Sequence, residues 1–569
     1  MRKIVITISI VLCCCLAYGQ SQKFQVNGAA RTYIFANQLS IDQELDSITP
    51  RNANYGHSLL DLGFSIFPNK QAEVIGVFRI RNELGGFWGG GVSFNVRQLT
   101  LKGVAGNKVR YEIGDIDLSV SPYTLHNNQE EGAINENRIF SIRRDVVHYD
   151  LFYQDNSWRM QGAKTSFSLL FNRFVQKVNV HGFLTRQNPS NMLDEAERLL
   201  GGFAVKIIKN KKLDLSLNTV NMFDLGNTIS IDHSRYSNSA NTMMLNYLIN
   251  KKEKSRSRIA LESGFSESSY FQALTPESKT NIGDWFYDVS YKYKLLQHDL
   301  SIGYKDIGSD YRAPGAQTKR LNFSRSPSLY QQISNEFLPR AASPFDFISG
   351  NTQNSYKIDP LLMFFNPVYG NTSPYGIATP NRRGVYIDYK NNGEKLFKKS
   401  FCRLNVLGES RGNGTNAKRN FMQLSTGTDF YINEWIKMAK ILKLNIGWQY
   451  EITSRDGSDF EQINLTSNLW DAGISYQIVK DLFFLVGLKS WSARGNEFIQ
   501  SRDDYNRIID FESIQINALE SSWASGLQYN FSDKNALSVL YQGYSLENRL
   551  EGSINYGISQ FNILFNLYF

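Results

Sequence analysis

Residues 442–453 alternate between apolar and more polar side chains, and this two-residue period recurs along most of the chain. One set contains Leu442, Leu444, Ile446, Trp448, Tyr450 and Ile452, and the other contains Lys443, Asn445, Gly447, Gln449, Glu451 and Thr453. A helix would mix the two sets, whereas successive side chains of a β-strand point to opposite faces. The pattern therefore predicts strands with one apolar and one polar face.

Long apolar runs are missing from the sequence after residue 19. A membrane-spanning helix requires about 18 consecutive apolar residues, and the longest candidate, 482–488, is far too short. Within lipid, only helices and closed sheets satisfy every backbone polar group. Two-faced strands without spanning helices therefore predict an all-β fold, a transmembrane antiparallel up-and-down β-barrel.

The connections between the alternating segments are of two kinds. We predict about 22 strands, within a range of about 18 to 24, that start near residues 23, 57, 72, 88, 108, 157, 176, 199, 212, 240, 256, 283, 298, 381, 396, 419, 441, 462, 481, 511, 535 and 552. Each even-to-odd connection is expected to be short, as at 68–70, 105–107, 209–211, 297–298, 391–393, 479–481 and 532–534. Odd-to-even connections are usually longer, at 37–56, 121–156, 188–198, 227–239, 313–380 and 497–510. Short periplasmic turns and long external loops are typical of outer-membrane barrels, whereas a soluble β-sandwich or propeller has no reason to show them.

The first 19 residues have the features of a cleaved secretory signal peptide. Arg2 and Lys3 precede an apolar stretch, and Ala17-Tyr18-Gly19 forms a small-x-small cleavage site. A lipoprotein is disfavoured, because Cys13, Cys14 and Cys15 each follow Leu or Cys rather than a small residue. Residues 20–569 are then expected to form a single barrel whose sole cysteine is Cys402, so the hydrogen-bonded sheet must stabilise it without an intramolecular disulfide.

The C-terminal segment carries a family resemblance. Its apolar residues are Phe561, Ile563, Phe565, Leu567 and Phe569. This ending is similar to the closing strand of Gram-negative outer-membrane β-barrel proteins, and the resemblance implies recognition by the barrel assembly machinery. It also implies location in the cell outer membrane, in contact with lipid and lipopolysaccharide. The sequence departs from TonB-linked transporters, since no globular plug precedes the first predicted strand, and the pattern is porin-like.

The connection 313–380 is unusually long and rich in apolar residues. Long loops without secondary structure usually have a function, and a barrel of about 22 strands has a wide lumen. We expect this loop to fold into or over the lumen as a constriction or lid, with Phe337, Phe345, Phe347, Phe364, Phe365 and Tyr369 as its aromatic residues. The alternative is that it caps the outer rim or packs against a partner.

Charged residues concentrate in two places. Alternation places Arg79, Arg81, Asn95, Arg97, Arg110 and Glu112 on the lumen face of neighbouring strands. They predict either a basic patch that attracts anionic solutes or charges that pair across the sheet. Lysines also gather at the predicted short turns, at Lys209, Lys211, Lys212, Lys251, Lys252, Lys254, Lys398, Lys399, Lys437 and Lys440. These are interpreted as solvated turns, with an anionic periplasmic partner as the alternative.

Motifs for chemistry are weak in this sequence. Gly408-Glu409-Ser410-Arg411-Gly412 matches a nucleophile elbow but lies where a predicted strand enters an external loop. The six histidines include no pair at metal-ligand spacing, and nothing resembles a nucleic-acid-binding patch. We therefore expect no enzyme and no cofactor. The favoured function is a porin-like channel for passive diffusion of small or anionic solutes. The alternative is a non-conducting barrel subunit of a larger outer-membrane assembly, in protein export or surface attachment, with an outer-membrane protein as partner.

Overall fold

The structure is a computed structural model, and it describes residues 23–41, 52–84, 92–126, 135–151, 160–193, 195–228, 234–272, 280–318, 362, 367–393, 396–502, 508–553 and 555–569. The proposed signal peptide lies outside these residues. The strands are β1 (Phe24–Ile41), β2 (Asn52–Asn69), β3 (Ala72–Glu83), β4 (Val92–Ala105), β5 (Val109–Ile116), β6 (Met160–Leu170), β7 (Lys177–Asn188), β8 (Glu197–Ile208), β9 (Leu213–Leu225), β10 (Ser234–Lys251) and β11 (Ser255–Gln272). They continue as β12 (Thr280–Leu295), β13 (His298–Ile307), β14 (Arg382–Asn391), β15 (Phe397–Gly408), β16 (Asn420–Tyr431), β17 (Leu442–Arg455), β18 (Ile463–Val479), β19 (Leu482–Arg502), β20 (Ile508–Asn530), β21 (Ala536–Asn548) and β22 (Tyr556–Tyr568).

All 22 strands belong to one antiparallel sheet that closes on itself. Each strand pairs with the next along the chain, and β1 pairs with β22 from Ala29 opposite Tyr568 to Ile41 opposite Tyr556. The predicted all-β barrel and its strand number are confirmed. Predicted and observed strand starts differ most at β10, which begins at Ser234 rather than at residue 240.

Helices are few in the described residues. They are α1 (Arg138–Leu151), α2 (Ile432–Trp435) and the short 3-10 turns Gly226–Thr228 and Pro367–Tyr369. None of them is long and apolar enough to cross a membrane. Helix α1 belongs to the β5–β6 connection and α2 to the β16–β17 connection.

The two faces of the wall differ as the alternation predicts. In β17, Asn445, Gln449, Glu451 and Thr453 are buried on the inward face, while Ile446 on the opposite face is exposed. Large apolar side chains are exposed on the outer face of many strands, for example Phe94, Trp285 and Leu488. An apolar belt around a closed antiparallel sheet is the arrangement that a bilayer requires.

The two ends of the barrel are defined by its connections. Even-to-odd connections are short, from 296–297 between β12 and β13 to 432–441 between β16 and β17. Outer-membrane barrels carry their short turns on the periplasmic side, so we call this end the periplasmic rim and the opposite end the distal rim.

Candidate functional site: the occupied lumen

The inner wall of β1–β4 carries a basic cluster, defined by Arg31, His57, Arg79, Arg81 and Arg97. Arg79 donates two hydrogen bonds to the carboxylate of Asp61, Nε to Oδ1 at 2.8 Å and Nη2 to Oδ2 at 2.8 Å. Arg97 Nη1 lies 3.7 Å from Asp61 Oδ2, and Arg31 Nη2 lies 3.3 Å from His57 Nε2. The structure therefore brings Arg79 and Arg97 together at Asp61, and Arg81 lies two residues further along β3 from Arg79. Asn95 lies directly opposite Arg79 in the β3–β4 register.

Tyr149 of α1 reaches into this basic cluster. Its hydroxyl donates to Asp61 Oδ2 at 2.5 Å, and the guanidinium carbons of Arg97, Arg79 and Arg31 lie 4.2, 5.6 and 5.8 Å from its ring centroid. Burial and the negative charge of Asp61 raise the pKa of the Tyr149 phenol above its usual value. The phenol thus stays protonated at neutral pH and can act as a hydrogen-bond donor.

Arg110 and Glu112 do not join the basic cluster. Glu112 pairs across the sheet with Lys164 at 3.0 Å, and Lys164 also donates to the Asp117 carbonyl at 2.9 Å. Arg110 is exposed near the periplasmic end of β5. Cross-strand pairing, the second interpretation of these charges, therefore describes Glu112, whereas Arg110 lies apart.

The segment 135–151, part of the predicted long connection 121–156, lies inside the barrel. Asn135 Nδ2 donates to the Ile446 carbonyl at 3.0 Å. Asn137 Nδ2 donates to the carbonyls of Ala472 and Val486 at 3.1 and 3.2 Å. These bonds fix the start of α1 against the wall formed by β17–β19.

The wall beneath Asn135 and Asn137 lacks side chains at the points of closest approach. A Cβ at Gly427 would lie 2.7 Å from Asn135 Cβ, and a Cβ at Gly473 would overlap the Asn137 amide. The neighbouring Gly447 has more room, since its nearest contact would be Asp471 Cβ at 3.7 Å. The glycines on the inward face thus allow the segment to contact the strand backbone directly.

A buried ion group lies next to this contact. Lys489 Nζ lies 3.0 Å from Glu136 Oε1 and 3.5 Å from Asp471 Oδ2. All three side chains are at least nine-tenths buried. Because an unpaired buried charge is costly, the positive charge of Lys489 favours the seated position of Glu136.

The apolar face of α1 packs along the wall toward the basic cluster. Ile139, Ile142 and Val146 form a cluster with inward-facing residues of five adjacent strands, which are Leu485, Ala524, Leu540, Leu564, Tyr33 and Phe35. Apolar side chains are unexpected on the inner face of a water-filled barrel. Here they form the surface of the inner wall, from β19 to β1, that α1 contacts.

Two further segments, the one around Tyr123 and residues 308–318, lie inside the distal half of the barrel. Tyr123 stacks on Phe286 with ring centroids 4.1 Å apart, and Tyr311 OH donates to the Tyr123 carbonyl at 2.6 Å. The Tyr123 hydroxyl in turn donates to Asp288 Oδ2 at 2.6 Å, and burial together with Asp288 raises the pKa of Tyr123. The first arm of the β13–β14 connection, 308–318, is thereby held against the wall.

The second arm of that connection, 367–381, is held by polar contacts. Asn371 Nδ2 donates to Glu497 Oε2 at 2.6 Å and to Thr453 Oγ1 at 3.0 Å. Arg382 donates to the carbonyls of Thr372 at 2.9 Å and Asn371 at 2.8 Å. Both described arms of the long connection therefore contact inward-facing residues.

The predicted aromatic residues of the long loop fall mostly outside these arms. Phe337, Phe345, Phe347, Phe364 and Phe365 lie outside the described residues. Tyr369 ends the 3-10 turn Pro367–Tyr369. Next to it, Val368 packs against Leu469, Trp491 and Ala493 of the inner wall.

The predicted assembly signal forms the outer face of β22. Phe561, Ile563, Phe565 and Leu567 lie opposite Ala36, Ile34, Thr32 and Ala30 of β1. The Phe569 amide donates to the Gly28 carbonyl at 3.0 Å, and the Gly28 amide donates back at 2.9 Å. This segment closes the barrel with its aromatic residues toward the lipid side.

The side chains of the nucleophile-elbow match, 408–412, make hydrogen bonds to neighbouring loop residues. Ser410 Oγ donates to Asn381 Oδ1 at 3.0 Å, and Glu409 accepts from Arg419 at 3.1 Å. Within the described residues, no group of three or more His, Cys, Asp or Glu side chains is arranged to hold a metal ion.

The residues missed in the sequence are Asn135, Glu136, Asn137 and Tyr149. One signal for an internal segment was present. The run 482–488 is apolar on both faces of its strand, and the inward glycines recur on adjacent strands. A strand that is apolar toward the lumen needs an apolar partner inside it.

A closed sheet with an apolar belt and a charged, occupied interior defines the class. The chain is a transmembrane β-barrel of the outer-membrane type. No protein-family model matches the sequence, and no curated protein is a match.

Solved structures do match this barrel. OpdQ of Pseudomonas aeruginosa is 9% identical, with 96% of this chain and 99% of that chain covered and a TM-score of 0.33. A BenF-like porin of Pseudomonas fluorescens is 9% identical, with 96% and 99% covered and a TM-score of 0.33. The copper transporter OprC is 11% identical, with 94% and 80% covered and a TM-score of 0.43. Similarity at this level has no bearing on the solute.

Proposed function

We propose that this barrel is a constricted, porin-like outer-membrane channel for passive diffusion of small, anionic solutes. The observation that carries the proposal is the basic cluster on the inner wall, where Arg79 and Arg97 both contact the carboxylate of Asp61. Guanidinium groups on a lumen wall attract anions and repel cations. The strands that carry the cluster, β1–β4, are hydrogen-bonded neighbours in the closed sheet.

The internal segments supply the constriction in this proposal. Segment 135–151 occupies the periplasmic half of the lumen, and the arms 308–318 and 367–381 occupy the distal half. Solutes then pass through the space that these segments leave. We expect deletion of residues 314–378 to raise single-channel conductance several-fold, and an unchanged conductance would exclude the long loop as a constriction.

Ion selectivity tests the role of the basic cluster. The triple variant Arg79→Gln, Arg81→Gln and Arg97→Gln removes three positive charges from the wall, and we expect its reversal potential in a salt gradient to shift toward cation selectivity. The matched control is the triple Arg→Lys variant, which keeps the charge. Arg110→Gln, which lies apart from the cluster, is a second control. An unmoved reversal potential in the Gln variant would leave these arginines with a structural role only.

A second candidate function is a non-conducting barrel subunit of a larger outer-membrane assembly. It is favoured by the tight seating of segment 135–151, whose asparagines bond to the strand backbone. Purified barrel in a planar lipid bilayer distinguishes the two functions. Steady conductance steps support the channel, and a silent bilayer with folded protein supports the assembly subunit.

A further inference from the structure

The periplasmic rim is strongly basic. The described even-to-odd connections hold twelve lysine or arginine residues, all of them exposed, against four acidic residues. The basic residues are densest at 209–212 and 252–254, which contain Lys209, Lys211 and Lys212 and then Lys252 and Lys254. The distal connection 456–462 shows the opposite balance, with three acidic residues and no basic one. A rim of this charge attracts anions along its whole circumference.

Large apolar side chains are exposed at the same rim. Phe174, in the β6–β7 connection, is 87% exposed, and Trp435, at the end of α2, is 69% exposed. Phe171 and Ile436 lie beside them and are about half exposed. Aromatic residues at the edge of a membrane protein favour the interface between headgroups and acyl chains.

Helix α2 holds Trp435 in a defined position. The Ile436 amide donates to the Ile432 carbonyl at 3.0 Å and the Met438 amide to the Asn433 carbonyl at 2.9 Å, while Lys437 takes a positive φ of 54°. This pattern of bonds is a Schellman-type helix end. Trp435 lies 6.3 Å from the ring of Phe430, which belongs to the outer apolar face of β16. The exposed aromatic thus continues the lipid-facing belt beyond the end of the strand.

The two aromatic connections lie on opposite sides of the barrel. One follows β6 and the other follows β16, which are ten strands apart in a ring of 22. Lysines accompany the second connection directly, at Lys437 and Lys440, and Arg173 accompanies the first. Positive charge next to an exposed aromatic is the combination that binds an anionic lipid surface.

We propose that the periplasmic rim binds anionic glycerophospholipids of the leaflet it faces. The lysines contact the headgroup phosphates, and Phe174 and Trp435 insert between the headgroups on opposite sides of the barrel. Such binding fixes the depth and tilt of the barrel in the membrane. The proposal is independent of whether the lumen conducts.

Lipid retention by the full-length folded barrel tests this proposal. The barrel is equilibrated in mixed micelles with phosphatidylglycerol and phosphatidylcholine, and the lipids that remain bound are counted by native mass spectrometry. We expect phosphatidylglycerol to be enriched over phosphatidylcholine. The variant with Gln at Lys209, Lys211, Lys212, Lys437 and Lys440 should reduce this enrichment by about tenfold or more, given the attraction of each basic side chain to an anionic surface.

Matched variants separate charge from folding and from the aromatic contribution. Arg at the same five lysine positions should retain the enrichment. The double variant Phe174→Ser and Trp435→Ser should lower retention of both lipids alike. Equal retention of the two lipids by the unmodified barrel would overturn the proposal and leave an acidic periplasmic protein as the occupant of the rim. An equal loss of enrichment in the Gln and Arg variants would overturn it as well.

Discussion

The two regions of the occupied lumen are held in place by different forces. Segment 135–151, in the periplasmic half, rests on glycines and bonds to strand carbonyls. The distal arm 367–381 is held by buried charges, since Asn371 bonds to Glu497, which also accepts from Arg419 at 3.0 Å. The first attachment depends mainly on shape and on hydrogen bonds to the strand backbone, with one buried ion pair at Glu136, whereas the second depends on a network of buried charges. Changes in side-chain volume should therefore release the first region, and changes in charge should release the second.

The largest effect is expected from the buried charges of the wall to which the distal arm is attached through Asn371. Arg419 is 5% exposed and lies between Glu409 at 3.1 Å and Glu497 at 3.0 Å. Arg419→Met leaves two buried carboxylates without their shared cation, and loss of one partner of a buried ion pair costs roughly 3–5 kcal/mol. Urea unfolding of the barrel in micelles measures this loss of stability.

The control for that variant is an exposed pair of the same chemistry. Arg549 Nε lies 2.9 Å from Glu547 Oε1, and both side chains are about half exposed. Arg549→Met should leave the unfolding midpoint unchanged, because exposed ion pairs contribute little. Equal midpoints for the two variants would contradict an electrostatic attachment of the distal arm.

A smaller effect, confined to the periplasmic half, is expected from Gly473→Ala. The new methyl group would displace the Asn137 amide from its two carbonyl acceptors. Each lost hydrogen bond costs about 1 kcal/mol, so hydrogen exchange of residues 135–151 should accelerate by roughly tenfold or more, since 1.4 kcal/mol corresponds to a factor of ten. Hydrogen-exchange mass spectrometry measures this change directly.

Gly447→Ala is the matched control, because the same methyl group has ordinary contact distances there, with Asp471 Cβ at 3.7 Å as its nearest neighbour. It should leave the exchange of 135–151 unchanged. Equal acceleration in both variants would mean that the substitutions disturb the strands themselves and do not act by displacing the Asn137 side chain.

The strands of the barrel wall could be predicted from the sequence, because the alternation that defines a strand involves only residues close together in the chain. A lipid-facing residue at every second position fixes each strand, as Ile446 does in β17 beside the inward-facing Asn445, and short turns fix the pairing of neighbours. Pairing of each strand with the next needs no information from distant residues, and the closure of β22 on β1 is the exception. This is why the strand number was accessible from the sequence.

The interior could not be predicted in the same way, because its contacts join residues far apart in the chain. Asn137 bonds to Ala472 and Val486, and Tyr149 bonds to Asp61. No periodicity in 135–151 indicates these acceptors, and α1 has only a modest apolar face. The inward position of 135–151 was not predicted, because connection length is similar for loops that fold into a barrel and loops that extend from it.

The smallest effect is expected where the two forces meet, at Tyr149. Tyr149→Phe removes the hydrogen bond to Asp61 but keeps the ring beside Arg97, and Asp61 keeps its two bonds to Arg79. The expected cost is about 1 kcal/mol, seen as faster hydrogen exchange at the end of α1 with no change in the unfolding midpoint of the barrel. Tyr149→Leu also removes the ring, so its exchange should be faster still. If the Phe and Leu variants exchange alike, the cation–π contacts of Tyr149 contribute nothing measurable to holding the last turn of α1.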